Sequence, residues 1–451
     1  MAQLLVPSQY STIQAAITAC ASGDEIVVSA GTYNEVLTFT SKNNVLVRAV
    51  VGDTVTVTGT GTIVPFPSTC HRITFLGITF VRTGTSALGL VTAASTAVRG
   101  CKFIDCIFDF SGMGAMVSTT VPLIALYPGD ANSPSILRRC RFVGNGATTI
   151  FARMAEWATA SVTNQTILVE CNTFYNVQTA NISTAYMLYL NGNASTGGRY
   201  VARNNSFHSC KCFKTIIRVV GNTAAAACYN NVTQNQSFWS PASANFIFIC
   251  PSGAPTFCGY NTAHNSDGVS TTVASPDSGN NDYNNPVFAD TDCKQTVLNG
   301  TVYSTPLYRT GVALSGGGER RVMLGRNRIP FAATPSRGAH EAYATGRGVL
   351  HLKYKYVNVM NGMVFNMTGQ AAPTLPSTNR AFTTPMEIAE YVETSIRPTK
   401  GLEYGPIEFW YDFENYRYRV SCYQSTFELS CSGNAAIIFG SQSLTAQTDT
   451  G

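Results

Sequence analysis

The chain has 451 residues, 45% of them hydrophobic and only 12% charged, with a net charge of +5. That length exceeds one ordinary hydrophobic core and calls for two domains or a stacked repeat. The low charge content excludes a disordered chain, the mild net charge without a Lys/Arg run argues against a nucleic-acid partner, and no apolar stretch is long enough for a membrane-spanning helix.

Met1 to Thr12 lacks a basic segment followed by an apolar one, so synthesis in the cytoplasm without a signal peptide is expected. Ser11-Thr12-Ile13-Gln14 has the form of a capping box, and Ile13, Ala16, Ile17 and Cys20 fall on one helical face. Gly23-Asp24 breaks that helix. Short extended runs follow at Glu25 to Val28, Val36 to Phe39, Val45 to Val47 and Val55 to Val57, separated by Gly, Asn and Asp. A short amphipathic helix leading into brief strands is what a solenoid needs, because its apolar end has to be plugged.

The chain has 14 Cys, without paired spacing apart from Cys210-Lys-Cys212. Many occupy strand-like positions, which points to buried reduced thiols acting as small hydrophobes. The five His are scattered and no Cys/His group has zinc-site spacing, so neither a metal nor a cofactor is expected.

A degenerate motif recurs along the first three-quarters of the chain: Cys or Asn, a short step, then Phe. It reads Gly100-Cys-Lys-Phe103, Arg139-Cys-Arg-Phe142, Glu170-Cys-Asn-Thr-Phe174 and Arg203-Asn-Asn-Ser-Phe207, with looser copies at His71 to Phe75 and Cys228 to Val232. This is the period of a solenoid repeat, in which like residues stack into Phe, Cys and Asn ladders.

The opening residues carry a resemblance. Tyr10 to Ile17, Gly23 to Val28 and Ala30 to Glu35 resemble the start of the pectin-lyase-like β-helix superfamily, where a helix covers the first coil and a Gly-Thr-Tyr segment turns into the next strand. The resemblance implies a mainly β fold, a right-handed parallel β-helix over residues 1–341. It implies no single activity, since the superfamily mixes lyases, hydrolases, esterases and structural rods. Asn281 to Asp290, Ser304 to Leu307 and Pro335 to Glu341 resemble the closing segment of such rods.

A small α+β module is expected over 342–451. Gly348 to Met360 alternates as a strand. Thr384-Pro-Met-Glu387 starts a helix with Thr as N-cap and Pro at its first position, whose buried face is Met386, Ala389, Val392 and Ile396. Ile407 to Phe413 and Tyr416 to Cys422 form a hairpin, followed by Phe427 to Cys431 and Ala435 to Gly440. This order resembles a module of structural proteins of large DNA viruses and phages. The resemblance implies a location in the virion, other capsid or virion proteins as partners, and a spike- or fibre-like role, with a homotrimer as the plausible oligomer.

Catalysis on a β-helix needs carboxylates in distinct environments. The candidates are Asp105 and Asp109, with Glu170 two coils on, although Asp also serves coil turns by bonding local amides. From Leu137 to Val273 the acids are Glu156, Glu170 and Asp267, a density that favours scaffold over catalyst. Sugar binding instead needs aromatic platforms, for which Trp157, Tyr175, Trp239 and Tyr260 are available. The sequence thus favours a virion structural protein, capsid-associated or a spike or fibre component, whose rod serves assembly or attachment to a host or its cell-surface glycan. A tailspike-like polysaccharide depolymerase or lyase and a non-enzymatic adhesin are the alternatives.

Overall fold

The computed structural model describes residues 2–264 apart from short stretches at 51–52, 130–132, 147–148, 159–164, 192–198, 214, 221–224, 235–236, 240–244 and 251–255. Beyond these it describes 274–275, 321–324, 327–330 and most of 354–446. The described elements fall into two compact units, the strands through Ser275 in one and those from Arg321 onward in the other.

The first unit is a right-handed parallel β-helix. Each coil contributes strands in turn to sheets that run the length of the helix. Sheet A has ten described strands from Gln3–Val6 to Thr256–Gly259, and sheet B nine from Gly31–Asn34 to Thr262–His264. Sheet C has five from Met116–Val117 to Ser237–Phe238, and sheet D eight from Val64–Phe66 to Ala274–Ser275. Every described pairing within these four sheets is parallel, so each residue stands over its counterpart one coil away.

That register builds the core as columns. On sheet A the inward column runs Leu4, Ile26, Val47, Phe75, Phe103, Leu137, Val169, Ala202, Cys228 and Cys258. On sheet B it runs Val57, Phe80, Phe108, Phe142, Phe174 and Phe207. The last four rings stack face to face, with centroids 4.9, 4.4 and 4.7 Å apart. All are fully buried, each contributing roughly 1.5–3 kcal/mol of apolar burial.

The single Phe repeat expected from sequence is therefore two ladders. Phe75 and Phe103 belong to sheet A, whereas Phe142, Phe174 and Phe207 continue Phe80 and Phe108 on sheet B. The Cys/Asn ladder is offset in the same way: the counterpart of Cys140 is Cys106, not Cys101. The two Cys-x-Phe segments look alike but sit on opposite sides of a corner, which local sequence does not distinguish.

That corner, between sheets A and B, holds left-handed backbone in successive coils, at Gly77, Asp105, Arg139, Cys171, Asn204, Asn230 and Tyr260. Such a conformation disfavours most side chains, and asparagine tolerates it best. The following position carries Cys106, Cys140, Asn172, Asn205, Asn231 and Asn261. Each Asn from 172 to 261 accepts at Oδ1 from the backbone N–H one coil back, at 2.8–3.1 Å. Its Nδ2 donates to the carbonyl of an inward sheet A residue: Leu137, Val169, Ala202 or Cys228. The left-handed residues still bond backbone to backbone between coils, and the carboxamides satisfy the N–H of the position that follows.

Helix α1 (Ile13–Ala19) packs Ile13, Ala16 and Ile17 into the first coil. Its cap differs from the expected box. Thr12 rather than Ser11 accepts from Ala15 N, while the Glu35 carboxylate accepts from the amides of Ile13 and Gln14. Gln14 reaches Thr38 instead, exchanging bonds with its backbone N–H and carbonyl. A carboxylate from the next coil satisfies the free amides better than a side chain within the helix.

In the second unit, α2 (Pro385–Ile396) starts and ends where the sequence places it, and Ile388, Ala389, Val392 and Ile396 are buried. They pack with Val359, Met363, Phe365, Phe409 and Leu429. The hairpin pairs Ile407–Asp412 with Arg417–Cys422, and Phe427–Cys431 lies between Met363–Met367 and Ser443–Ala446, all antiparallel. Gly433–Phe439 forms α3. The strand expected through Met360 ends at Val357: Asn358 Oδ1 accepts from Met360 N and Gly362 takes φ +83°, which turns the chain. The rod-closing pattern over 281–290, 304–307 and 335–341, and the start of the 348–360 strand, lie outside the described residues.

Candidate functional site

The three candidate acids occupy three different environments. Asp105 is the left-handed corner residue, so a turn separates it from Asp109 and the two do not share a strand face. Its carboxylate accepts from Arg139 Nε at 2.7 Å and Nη2 at 3.1 Å, a two-point ion pair with the next coil. Asp109 ends a sheet B strand and accepts at Oδ1 from Ser111 N and Oγ at 2.9 and 2.6 Å. It stands in an outward column with Val143, Tyr175, His208 and Gln234.

Glu170 lies two coils on from Asp105 on sheet A. Its side chain is 1% exposed, and its two oxygens are divided between Arg138 Nε and Arg203 Nε, each at 3.1 Å. Arg203 Nη1 in turn donates to Tyr229 Oη at 3.0 Å. Burial by itself lowers the Arg203 guanidinium, but the neighbouring Glu170 and Tyr229 outweigh it and hold the pKa above its usual value. Arg138, Glu170, Arg203 and Tyr229 are direct register partners. The apolar Ile136, Leu168 and Val201 beside them on the outward face are also buried.

Of the aromatic candidates, Trp157 is fully buried in the core. Tyr175 meets His208 edge-on at 5.5 Å. Lys211 Nζ sits 3.4 Å from the Trp239 ring centroid, and Trp239 Nε1 donates to Thr179 O. Tyr260 occupies the left-handed corner.

The richest part-exposed cluster is elsewhere, on the outward face of sheet D. Where sheet C passes into sheet D the chain bends with two successive inward residues: Ile63-Val64, Leu90-Val91, Leu123-Ile124, Met154-Ala155, Met187-Leu188 and Ile216-Ile217, all fully buried. At the first of these bends two successive amides donate to one carbonyl, Leu90 O, and the next repeats this on Leu123 O. The bend keeps a one-to-one register from coil to coil. Residues three apart across it, on opposite faces of a regular strand, both point outward.

Arg153 and Glu156 thus meet, Nη1 donating to Oε2 at 2.6 Å, each with its side chain 17% exposed. One coil on, Tyr186 and Tyr189 stack with centroids 5.2 Å apart. Arg153 Cζ lies 4.6 Å from the Tyr189 centroid and Arg218 Cζ 5.1 Å from that of Tyr186, both cation–π contacts. Arg218 Nη1 donates to Tyr186 Oη, which donates to Ser183 O. Burial raises the Tyr189 phenol above its usual pKa, with Arg218 and then Arg153 pulling against it. The register aligns Glu156, Tyr189 and Arg218 in one column.

Of these five residues Tyr186 is buried with its hydroxyl engaged, so the part-exposed groups on the face are the guanidiniums of Arg153 and Arg218, the Glu156 carboxylate and the Tyr189 phenol. The sequence signal for it is the repeated outward–inward–inward–outward tetrad, Arg153-Met-Ala-Glu156, Tyr186-Met-Leu-Tyr189 and Thr215-Ile-Ile-Arg218. A search for alternating strands or close acid pairs passes over that tetrad. Among the described residues no three His, Cys, Asp or Glu side chains gather to hold a metal, and no helix is long and apolar enough to cross a membrane.

No known protein family and no curated protein matches the chain. Among solved structures, a pectin methylesterase in complex with a hexasaccharide is similar with a TM-score of 0.27 at 9% identity, covering 64% of this chain and 95% of that one. A second pectin methylesterase complex, with another hexasaccharide, gives 0.26 at 9% identity and the same coverage. The Dettilon tailspike protein gives 0.15 at 11% identity, covering 98% of this chain and 93% of that one. At such scores these likenesses assign no activity or ligand; the fold stands on the strand register.

Proposed function

We propose that this chain is a structural component of a virus particle, a β-helix that attaches to surface carbohydrate and carries no catalytic groove. The observation behind the attachment reading is the Tyr186–Tyr189 stack flanked by Arg153, Glu156 and Arg218. Tyr189, Arg153, Glu156 and Arg218 are part-exposed there, Tyr186 is buried, and all five stand on one sheet. The scaffold reading is supported by the acids: Glu170 is divided between two buried arginines, Asp105 is held by Arg139, and Asp109 closes a local turn. Each of these engagements suits folding better than proton transfer, which asks for a carboxyl near its substrate and open to exchange.

The virion part of the proposal rests on the resemblance of the second unit to phage and viral structural modules. Its helix, hairpin and Phe-x-Leu strand occur in the order of that resemblance. Other capsid proteins and further copies of this chain are its partners in this reading, with a trimer as the natural spike.

Two measurements test it. Mass spectrometry of the parent particle should detect the chain, and absence from purified particles would refute the virion assignment. A glycan array should show binding that Tyr189→Ala weakens. Shortening of a capsular polymer by the wild-type chain, lost in an Asp105→Ala/Asp109→Ala variant, would replace this reading with the depolymerase.

A further inference from the structure

The charge of the early coils lies on one side of the β-helix. Residues 60–70, 83–98 and 110–129 contain no Asp, Glu, Lys or Arg, although the chain averages 12% charged residues. These stretches carry the sheet D strands Val64–Phe66, Val91–Ala93 and Ile124–Leu126, and the first described sheet C strand, Met116–Val117. The stretches between them, 71–82 and 99–109, carry strands of sheets A and B and hold two and four charged residues. Three successive coils thus present an uncharged side through sheets C and D.

That side also holds the two most exposed large hydrophobic side chains among the described residues, Val117 at 63% and Leu88 at 56%. On sheet D, Pro65, Thr92 and Ala125 follow one another in one outward column, all half-buried. Beyond Ala125 the column changes character, because its next members are Glu156, Tyr189 and Arg218. The neutral side ends where the polar cluster begins.

Exposed apolar side chains on a charge-free surface have the composition of an interface centre, where charged residues are depleted. That composition also selects the partner. A charged face would lose its hydration against a surface that offers it no counter-charge. The matching face must itself be uncharged, and every copy of this chain carries one. We infer that the sheet C and D side of residues 60–129 packs against the same side of further copies, three around an axis parallel to the β-helix. The uncharged side runs along that axis from coil to coil, and it spans two sheets that meet at the bend. Each copy therefore has two flanks to cover, and three is the smallest ring in which every copy has two neighbours. This deepens the reading above that further copies of the chain are its partners, and locates their contact.

Analytical ultracentrifugation of the full chain from about 0.1 to 50 µM tests it. The expected species has three times the chain mass and changes little between about 0.1 and 1 M NaCl, since the contact contains no ion pair to screen. Leu88→Glu/Val117→Glu charges the two most exposed apolar positions, and Thr92→Glu/Ala125→Glu charges sheet D. Each pair should raise the dissociation constant at least about a hundredfold, with an unchanged circular dichroism spectrum. Val364→Glu, at an exposed position of the second unit, should leave the trimer intact.

A chain that stays monomeric throughout would assign the uncharged side to a different partner and overturn the inference. A dimer would overturn it, as would a trimer that salt or Val364→Glu dissociates. If the sheet D pair fails to fold, Leu88→Glu/Val117→Glu carries the test alone, and a trimer that survives it refutes the contact. Absence of the chain from purified particles would refute the virion assignment and leave this contact standing.

Discussion

Asn205 Oδ1 accepts two hydrogen bonds from Asn172, one from its backbone N–H at 3.1 Å and one from its Nδ2 at 2.9 Å. Asn205 Nδ2 meanwhile donates to Val169 O at 3.0 Å. Asn205→Ala therefore leaves a buried amide and a buried carbonyl without partners in the middle of the ladder. The expected cost is about 2–3 kcal/mol, read as a lower urea midpoint. A loss within a few tenths of a kcal/mol would mean that water or a neighbouring turn takes over both bonds.

Removing the Glu170 carboxylate strands two buried guanidiniums. Glu170→Ala should destabilise by about 3–5 kcal/mol, whereas replacing Arg138, Glu170 and Arg203 together by apolar residues of similar volume should be near neutral or stabilising. Urea unfolding of both variants separates the outcomes. A triple variant less stable than Glu170→Ala would show that the ion column does more than satisfy itself.

Phe142 lies between Phe108 and Phe174, with centroids 4.9 and 4.4 Å away. Phe142→Ala opens a cavity in the fully buried sheet B column and should cost about 3–5 kcal/mol, with Phe142→Leu costing less because it refills part of the volume. Thermal unfolding measures the difference. Equal losses would imply that ring stacking, not volume, sets the energy.

The buried thiols make the β-helix sensitive to alkali. Burial pushes Cys101, Cys171, Cys210 and Cys228 up to about 12 from an ordinary value of 9.0. Below pH 9 folded and unfolded thiols are both protonated, and their contribution is complete. Between pH 9 and about 12 the unfolded chain has lost these protons while the folded chain holds them, so stability falls as pH rises. Urea midpoints should accordingly drop steeply from pH 9 to 10.5, and a thiol reagent should label these cysteines at pH 8 only after unfolding. Rapid labelling of the native protein would contradict their burial.

Much of the architecture is legible in local patterns. The plug helix, the solenoid period, the ladder-forming residue types and both ends of α2 follow from spacing, caps and Pro385. Ten of the described cysteines are buried, as their strand-like positions imply. What local patterns mislead on is alignment. Cys101-Lys-Phe103 and Cys140-Arg-Phe142 read as one repeat, yet the first turns into sheet A and the second into sheet B. Likewise Ser11 and Gln14 have the spacing of a capping box, but Glu35, a coil away, takes the amides.

The sequence by itself determined that this chain coils, which residue types line the coil, and how its helix ends are made, because these depend on neighbours a few positions away. Only the tertiary structure decided which coils stand in register, since successive inward residues on sheet A lie anywhere from 21 to 34 positions apart. That register pins Glu170 between Arg138 and Arg203 and brings Glu156 beside Tyr189 across 33 residues. The bend at the edge of sheet D then turns residues three apart, such as Arg153 and Glu156, to one face. Backbone pairing between coils, not spacing along the chain, made this face.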